Sequence, residues 1–316
     1  MIHDFSPSPH APVLVVGAAG LDIIGKLQGE LRTGTSNPAQ IRTSFGGVAR
    51  NVAENLARLG QPVRLLTVVG RDSAGERLLQ EAEAAGVDVS AVRHSEEYAT
   101  GTYLAVVNQA GELQTALDDM HAASLISPDY LRLNQDLFAD AAAVFVDGNL
   151  PKETLRTLFS LARKARVPVC ADPTSTSLAL KLKPYLSRLA LLTPNSFEAA
   201  VLSDLPVTVS RRREALMAAK KLVSAGVGIV IVALAEFGAC YAASQSSGHV
   251  PAIKTTIVDP TGAGDAMTAT VLFALLNDIS LDDAVRLGVC AASLTLCHRG
   301  AVLQDLSLEK LYDELS

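Results

Sequence analysis

Pro12-Val-Leu-Val-Val-Gly17-Ala-Ala-Gly20-Leu-Asp22 is the stretch that decides between two folds. From Pro12 to Ala19 it is apolar throughout and of strand length, as expected of a central parallel strand buried on both faces. Glycines after such a strand raise the dinucleotide-binding fold first. Here the third glycine of that fingerprint is missing, and the acid, Asp22, comes directly after the glycines instead of at the end of the next strand. What remains is an open α/β sheet. Its first strand ends near an aspartate, and substrate-binding groups of such sheets collect at the carboxyl ends of parallel strands. A turn-capping aspartate is the plain alternative for Asp22.

Strand and helix patterns alternate along the rest of the chain. Strands are expected at 63–69, 142–147, 167–172, 189–193 and 227–234. Helices are expected at 72–85, capped by Asp72, at 151–164 and at 210–225. This alternation predicts an α/β fold with a parallel sheet covered by helices on both sides, in one domain spanning 1–316. Two segments stand outside it. Residues 23–45 lack a helical period, are rich in Gly, Thr, Ser and Asn, and contain Ser36-Asn37-Pro38; residues 99–120 hold a hairpin turning at Gly111. Both are candidates for a lid projecting from the main sheet. Residues 1–10 read as a loose leader.

Gly46-Gly47 precedes a helical run in which Val48, Val52, Leu56 and Leu59 share a face and Gly60 stops the helix. Asn51 falls in the first turn, at the positive end of the dipole. Asparagine is a poor interior helix residue, so a ligand role is favoured there. Three strand ends carry polar groups: Asp147-Gly-Asn149, Asp172-Pro-Thr174 and Thr193-Pro-Asn195-Ser-Phe-Glu198. Asn195 and Glu198 lie three apart at a helix start. They suit either a capping box or a site where the acid holds magnesium through water and the amide meets a phosphate.

Near the C-terminus comes Asp259-Pro-Thr261-Gly262-Ala263-Gly264-Asp265, followed by an apolar run to Leu276. Glycines where a loop becomes a helix leave consecutive backbone N–H groups free to point at an anion. No Lys-Ser/Thr pair follows, so this is not a Walker A loop. Asp265 at the rim of an anion cradle would repel a phosphate unless aimed at a hydroxyl proton beside it. Cradle and carboxylate together suggest phosphoryl transfer; a tight turn with an N-terminal helix carboxylate is the plain alternative.

The chain has 316 residues, 49% of them hydrophobic, and a net charge of −6. It can bury a large core, and it has no basic excess for binding nucleic acid or a membrane surface. No run reaches the roughly 18 apolar residues of a membrane helix and no signal peptide is evident, so a cytoplasmic protein is expected. Cys170, Cys240, Cys290 and Cys297 lie in apolar runs without C-x-x-C spacing and are expected to be reduced and buried.

Gly46-Gly47-x-x-x-Asn51, Asn195-x-x-Glu198 and Asp259-x-x-Gly262-Ala263-Gly264-Asp265, in this order, resemble the motifs of PfkB-type sugar and nucleoside kinases over roughly 12–303. That resemblance implies a ribokinase-like three-layer α/β/α domain, with a mostly parallel sheet of about nine strands and a small β-sheet lid. It also implies MgATP as phosphoryl donor to an alcohol. Asp265 then corresponds to the catalytic base, with Gly262, Ala263 and Gly264 forming the anion hole. Asp22, Gly46, Gly47 and Asn51 correspond to acceptor-binding positions. Asn195, Glu198, Gly238, Thr261, Gly262 and Gly264 correspond to nucleotide and magnesium positions. Asp259 corresponds to a ligand of a monovalent cation such as potassium. A homodimer through the lid is a further expectation.

Within the family, Ser36-Asn37-Pro38-Ala39-Gln40-Ile41 and Asp118-Asp119-Met120 are similar to the lid motifs of pseudouridine kinases, so Asn37 and Met120 are candidate contacts to the base. Ala39 stands for a glycine of that pattern and Asp118 for an asparagine. The implied reaction is phosphorylation of the 5'-hydroxyl of pseudouridine, with another nucleoside or a ribose-like sugar as the alternative. Many relatives have Thr-Leu-Gly-x-x-Gly where this chain has Ala233-Leu-Ala-Glu-Phe-Gly238, which implies altered ATP affinity or donor preference and leaves a non-catalytic sensor as a third reading. The region 291–299 is expected to border the adenine pocket. For His298, contact with the nucleotide and a helix-end charge are the two readings.

Overall fold

The structure, a computed structural model, describes residues 5, 10–207 and 211–315; most of the expected leader, and Ser210 at the start of the expected helix 210–225, lie outside the described residues. Fourteen strands form three sheets among the described residues. The main sheet contains β1 (Val13–Val16), β4 (Val63–Leu66), β9 (Ala143–Asp147), β10 (Val169–Asp172), β11 (Leu189–Leu192), β12 (Ile229–Ala233), β13 (Ala239–Ala243) and β14 (Ser247–Val250). A small sheet contains β2 (Gly20–Leu27), β3 (Ala39–Gly46), β7 (Gly101–Val107) and β8 (Leu113–Asp119), and β5 (Val68–Gly70) pairs with β6 (Arg93–Ser95).

The main sheet runs in the order β14-β13-β12-β11-β10-β9-β1-β4. Its first six strands by sequence pair in parallel, from β4 through β12, and β13 and β14 add an antiparallel edge. Eight strands replace the nine expected. Alternate residues of each strand feed two separate cores. Val13, Val15, Phe145, Leu191 and Ile231 point into one, which also takes residues of the helices Val48–Arg58, Ala263–Leu276 and Leu281–Leu296. Leu14, Val16, Val146, Leu192 and Val232 point into the other, with the helices Lys152–Ala165 and Arg212–Ser224. A strand loaded on both faces must be apolar throughout, which is why Pro12 to Ala19 shows no alternation.

Three expectations change. The strand expected at 63–69 is broken at Thr67, whose hydroxyl donates to Gly17 O and whose carbonyl accepts from Arg93 N, so β5 leaves the main sheet for β6. The small sheet begins at Gly20 and not at residue 23, so Asp22 belongs to it and not to the end of a main-sheet strand. Cys297 is exposed, beyond the end of Leu281–Leu296, while the other three cysteines are buried. No helix among the described residues is long and apolar enough to cross a membrane.

The helix Ala263–Leu276 is apolar around its whole circumference because it lies between two other helices rather than on the surface. Gly288 makes this close packing possible: a Cβ there would come within 2.7 Å of Val271 and 3.1 Å of Met267. The anion-cradle motif is thereby fixed to a helix buried along most of its length.

Candidate active site

Gly17 ends the β1 turn against Asp147 at the carboxyl end of β9; a Cβ on Gly17 would lie 2.3 Å from Asp147 Oδ2. Asp147 is wholly buried and accepts from Ala18 N (2.7 Å), Ala49 N (3.3 Å) and Asn149 N (2.9 Å). It thus joins the end of β1 to the start of the helix Val48–Arg58. Burial pushes its carboxyl up, and the three N–H donors oppose that.

That helix starts at Gly47, whose φ of 91° belongs to the left-handed region and whose added Cβ would meet Ala18 O at 2.5 Å. Asn51, in its first turn, is buried and donates from Nδ2 to Asp265 Oδ2 at 2.8 Å. Two sequence motifs 214 residues apart are therefore in direct contact. Asp22 approaches from β2, and an added Cβ on Gly46 would lie 2.2 Å from its Oδ2. The first glycine of the pair makes room for Asp22 and the second turns the chain.

Asp265 is half-buried in the first turn of the helix Ala263–Leu276, against the Asn51 amide. Burial pushes its carboxyl up to about 7; the Asn51 amide opposes this, Asp22 and Asp147 add to it, and Arg50 opposes it. Asp22 is raised to about 6, first by burial, against the pull of Arg50 and with a push from Asp259. A carboxylate poised near neutrality suits a general base.

Gly262 caps the helix Ala263–Leu276 with φ 79°, and a Cβ on it would fall 1.9 Å from Ala301 O. Gly264 has nothing within 4 Å of such a Cβ, so its face of the loop is open. The loop divides two cavities. One, of about 810 Å³, lies under the small sheet and is lined by Ile24, Arg42, Ser44, Asp259, Thr261 and Gly300, among others. The other, of about 630 Å³, is lined by Gly238, Lys254, Gly264, Met267, Ser293 and Leu296, among others. The expectation that 291–299 borders a nucleotide pocket fits the second cavity, which Ala292 also lines; His298 instead lines a third cavity beside Arg50 and Glu54.

Asn195 and Glu198 form the capping box. Asn195 Oδ1 accepts from Phe197 N (2.9 Å) and Glu198 N (3.0 Å), and Glu198 Oε2 accepts from Asn195 N (2.9 Å). Glu198 is buried, and burial raises its carboxyl; that of Asp172 is raised well above the usual range by burial, by Glu198 and by Asp265. Among the described residues no three His, Cys, Asp or Glu side chains form a metal-binding group. A single carboxylate such as that of Glu198 suits magnesium, which takes few protein ligands and completes its shell with phosphates and water.

Asp259 is buried and fully engaged. Its carboxylate accepts from Thr261 N (3.1 Å) and Gly300 N (3.2 Å) and pairs with Arg42 of β3 (2.9 Å). At the expected cation position the structure therefore places a guanidinium. Asn37 is bonded within its own loop, to Arg32 and Thr35. Met120 lies over Gly20 and Gly101, at the root of the small sheet. Ala235 sits at φ 48°, a left-handed conformation strained for alanine, and lines the second cavity.

Two residues not singled out in the sequence, Tyr103 and Lys254, belong to this geometry, together with Asp118 of the lid motif. Tyr103 and Asp118 share a face with Asp22, by pairing across β2, β7 and β8, and Lys254 lines the second cavity. Lys254 lies in an irregular segment, where no periodicity could single it out.

The model of the pfkB family carbohydrate kinases matches residues 11–307. The chain is 31% identical to pseudouridine kinase of Escherichia coli K12 over 94% of each chain. It is 32% identical to guanosine-inosine kinase of Exiguobacterium acetylicum over 89% of this chain and 93% of the other. Its fold matches that of Arabidopsis thaliana ribokinase, solved with ribose and ATP, at a TM-score of 0.82, 24% identity, and coverage of 97% of this chain and 99% of that one.

Proposed function

Because this chain belongs to the pfkB family of carbohydrate kinases, a family of phosphotransferases acting on alcohols, we propose that it transfers the γ-phosphate of MgATP to the 5'-hydroxyl of pseudouridine. The observation that carries this reading is the contact of Asn51 with Asp265 beside an open glycine loop between two cavities. The acceptor enters under the small sheet, which acts as its lid, where Asp22 and Asn51 hold sugar hydroxyls and direct one toward Asp265. The nucleotide lies in the cavity lined by Gly238 and Lys254, with its γ-phosphate at the N–H groups of Gly262, Ala263 and Gly264.

Asp265 accepts the hydroxyl proton as the new O–P bond forms and the bond to the ADP oxygen breaks. Oriented backbone donors stabilise charge that gathers on the transferring oxygens, without rearranging at the moment of reaction. Glu198 would hold magnesium together with the phosphates, and the bound ion would supply charge neutralisation there. Most of the rate enhancement comes from positioning and electrostatics, the main resources for phosphoryl transfer.

Pseudouridine has one more ring N–H donor than uridine, and Asp118, on the same face as Asp22, is acceptor-only when ionised. Ser36-Asn37-Pro38 and the relative from Escherichia coli support the same acceptor. The relative from Exiguobacterium acetylicum favours a purine nucleoside as the second reading. A screen of pseudouridine, uridine, inosine, guanosine and ribose under equal MgATP decides between them. We expect the highest kcat/KM for pseudouridine; a purine nucleoside or ribose in first place overturns the assignment of the acceptor.

A further inference from the structure

Arg50 is a side chain that the proposed chemistry leaves unused. It is buried to 4% exposure at the start of the helix Val48–Arg58, and its Nε has no hydrogen-bond partner. Removing a guanidinium from water is costly, and leaving one of its donors unpaired adds to the cost. Its remaining contacts define a direction. Nη2 pairs with Glu54, which is clamped from its other oxygen by Arg58, while Nη1 donates to Phe45 O (3.1 Å) and to Asn51 Oδ1 (3.2 Å).

The last bond determines what Asn51 offers to Asp265. A primary amide has an accepting end and a donating end, and a guanidinium only donates. With Arg50 at one end of the amide, Oδ1 must face Arg50 and Nδ2 must face Asp265, as the bond of 2.8 Å shows. Without Arg50 the amide is free to turn over. Its oxygen would then favour a protonated Asp265, which cannot accept a proton.

Resting on the reading of Asp265 as the base, we propose that Arg50 is a positioning residue that fixes the Asn51 amide in one orientation and so keeps Asp265 ionised for proton abstraction. Its charge acts in the same sense, favouring the ionised forms of Asp265 and Asp22. Against it stand Asp22 and Asp147, each of which disfavours the ionised Asp265, while Asp265 in turn raises the carboxyl of Asp172. Around Arg50 itself stand Glu54, Glu81, Arg58 and Asp22, and Arg77, His298 and Arg299 line the same cavity. Glu54 anchors the guanidinium, and that ion pair is held inside the same helix.

The test is the pH profile of kcat/KM for the acceptor in the unaltered protein and in Arg50→Met, Arg50→Lys and Asp265→Asn. Arg50→Met is expected to move the acid limb upward by roughly one pH unit or more. Its activity deficit at pH 6.5 should then shrink toward pH 9, with the KM for ATP changed little. Arg50→Lys keeps a cation beside Glu54 but loses the fork, and should move the limb in the same direction by less. If Arg50→Met is insoluble, the lysine variant gives the answer. An acid limb unmoved in the soluble Arg50 variants, while Asp265→Asn is inactive, overturns the role of Arg50 alone. Turnover that survives in Asp265→Asn overturns the base assignment beneath it.

Discussion

Asp265, the proposed base, is a group whose burial works against the fold. Its carboxyl is pushed up to about 7, while an exposed aspartate in an unfolded chain titrates near 3.9. Between those values the folded protein binds a proton that the unfolded chain has released. The stability associated with this group therefore falls as pH rises from about 4 to about 7, and the full penalty remains above that. Asp265→Asn should melt at a higher temperature than the unaltered protein at pH 8, and the difference should shrink as pH is lowered toward 5. A lower melting temperature at pH 8 contradicts this. In the active protein kcat/KM should fall below pH 7, a limb shared with Asp22, which titrates near 6.

The two glycines of the cradle make opposite predictions. Gly262→Ala forces a left-handed residue and a contact of 1.9 Å with Ala301 O, so it should lower the melting temperature. Gly264→Ala meets nothing and should leave the melting temperature unchanged, yet its methyl enters the open face of the cradle and should reduce kcat by about 10²-fold. Equal thermal effects of the two would contradict the geometry. Both glycines, Asn51 and Asp265 were legible because their residue types are poor choices for mere structure at those places. Arg50 was not, and Asp147 stood out only as a polar strand end, since their roles depend on partners that only the tertiary fold brings together. At Asn195 and Glu198 the capping reading is realised, and a local motif of that kind cannot reveal a second duty.

At the scale of elements, the small sheet is tied to the anion loop through Arg42 of β3 and Asp259. This bond fixes the position of the sheet, and its guanidinium supplies the charge that a monovalent ion would bring to a buried aspartate. Arg42→Ala should raise the acceptor's KM and make turnover depend on potassium relative to tetramethylammonium. The unaltered protein should show little difference between the two salts, and a matching salt response in both proteins removes Arg42 from this role. The sequence placed the strands of this sheet nearly correctly, because turn residues and the lack of a helical period mark them. It missed the pairing that starts at Gly20, since an apolar run continuing through Leu21 gives no sign of where the chain changes sheets. The break at Thr67 was hidden for the same reason: its cause is the bond to Gly17 O, far away in sequence.

At the scale of the whole molecule, the parallel sheet was readable because strands loaded on both faces alternate with helices that each bury one face. The antiparallel edge of β13 and β14 was not anticipated, as its partners are set by pairing and not by composition. This architecture carries the small sheet, the glycine loop and the second cavity to one end of the main sheet, and in the proposed reaction two substrates meet there at Asp265. The most direct test is phosphorus NMR of a reaction of pseudouridine with MgATP, run with the unaltered protein and with Asp265→Asn. The account predicts a new phosphomonoester on the 5'-oxygen, formed in step with ADP, and none above background with Asp265→Asn. No acceptor-dependent ADP from pseudouridine or any other nucleoside or sugar, or the same product at an undiminished rate from Asp265→Asn, would contradict it.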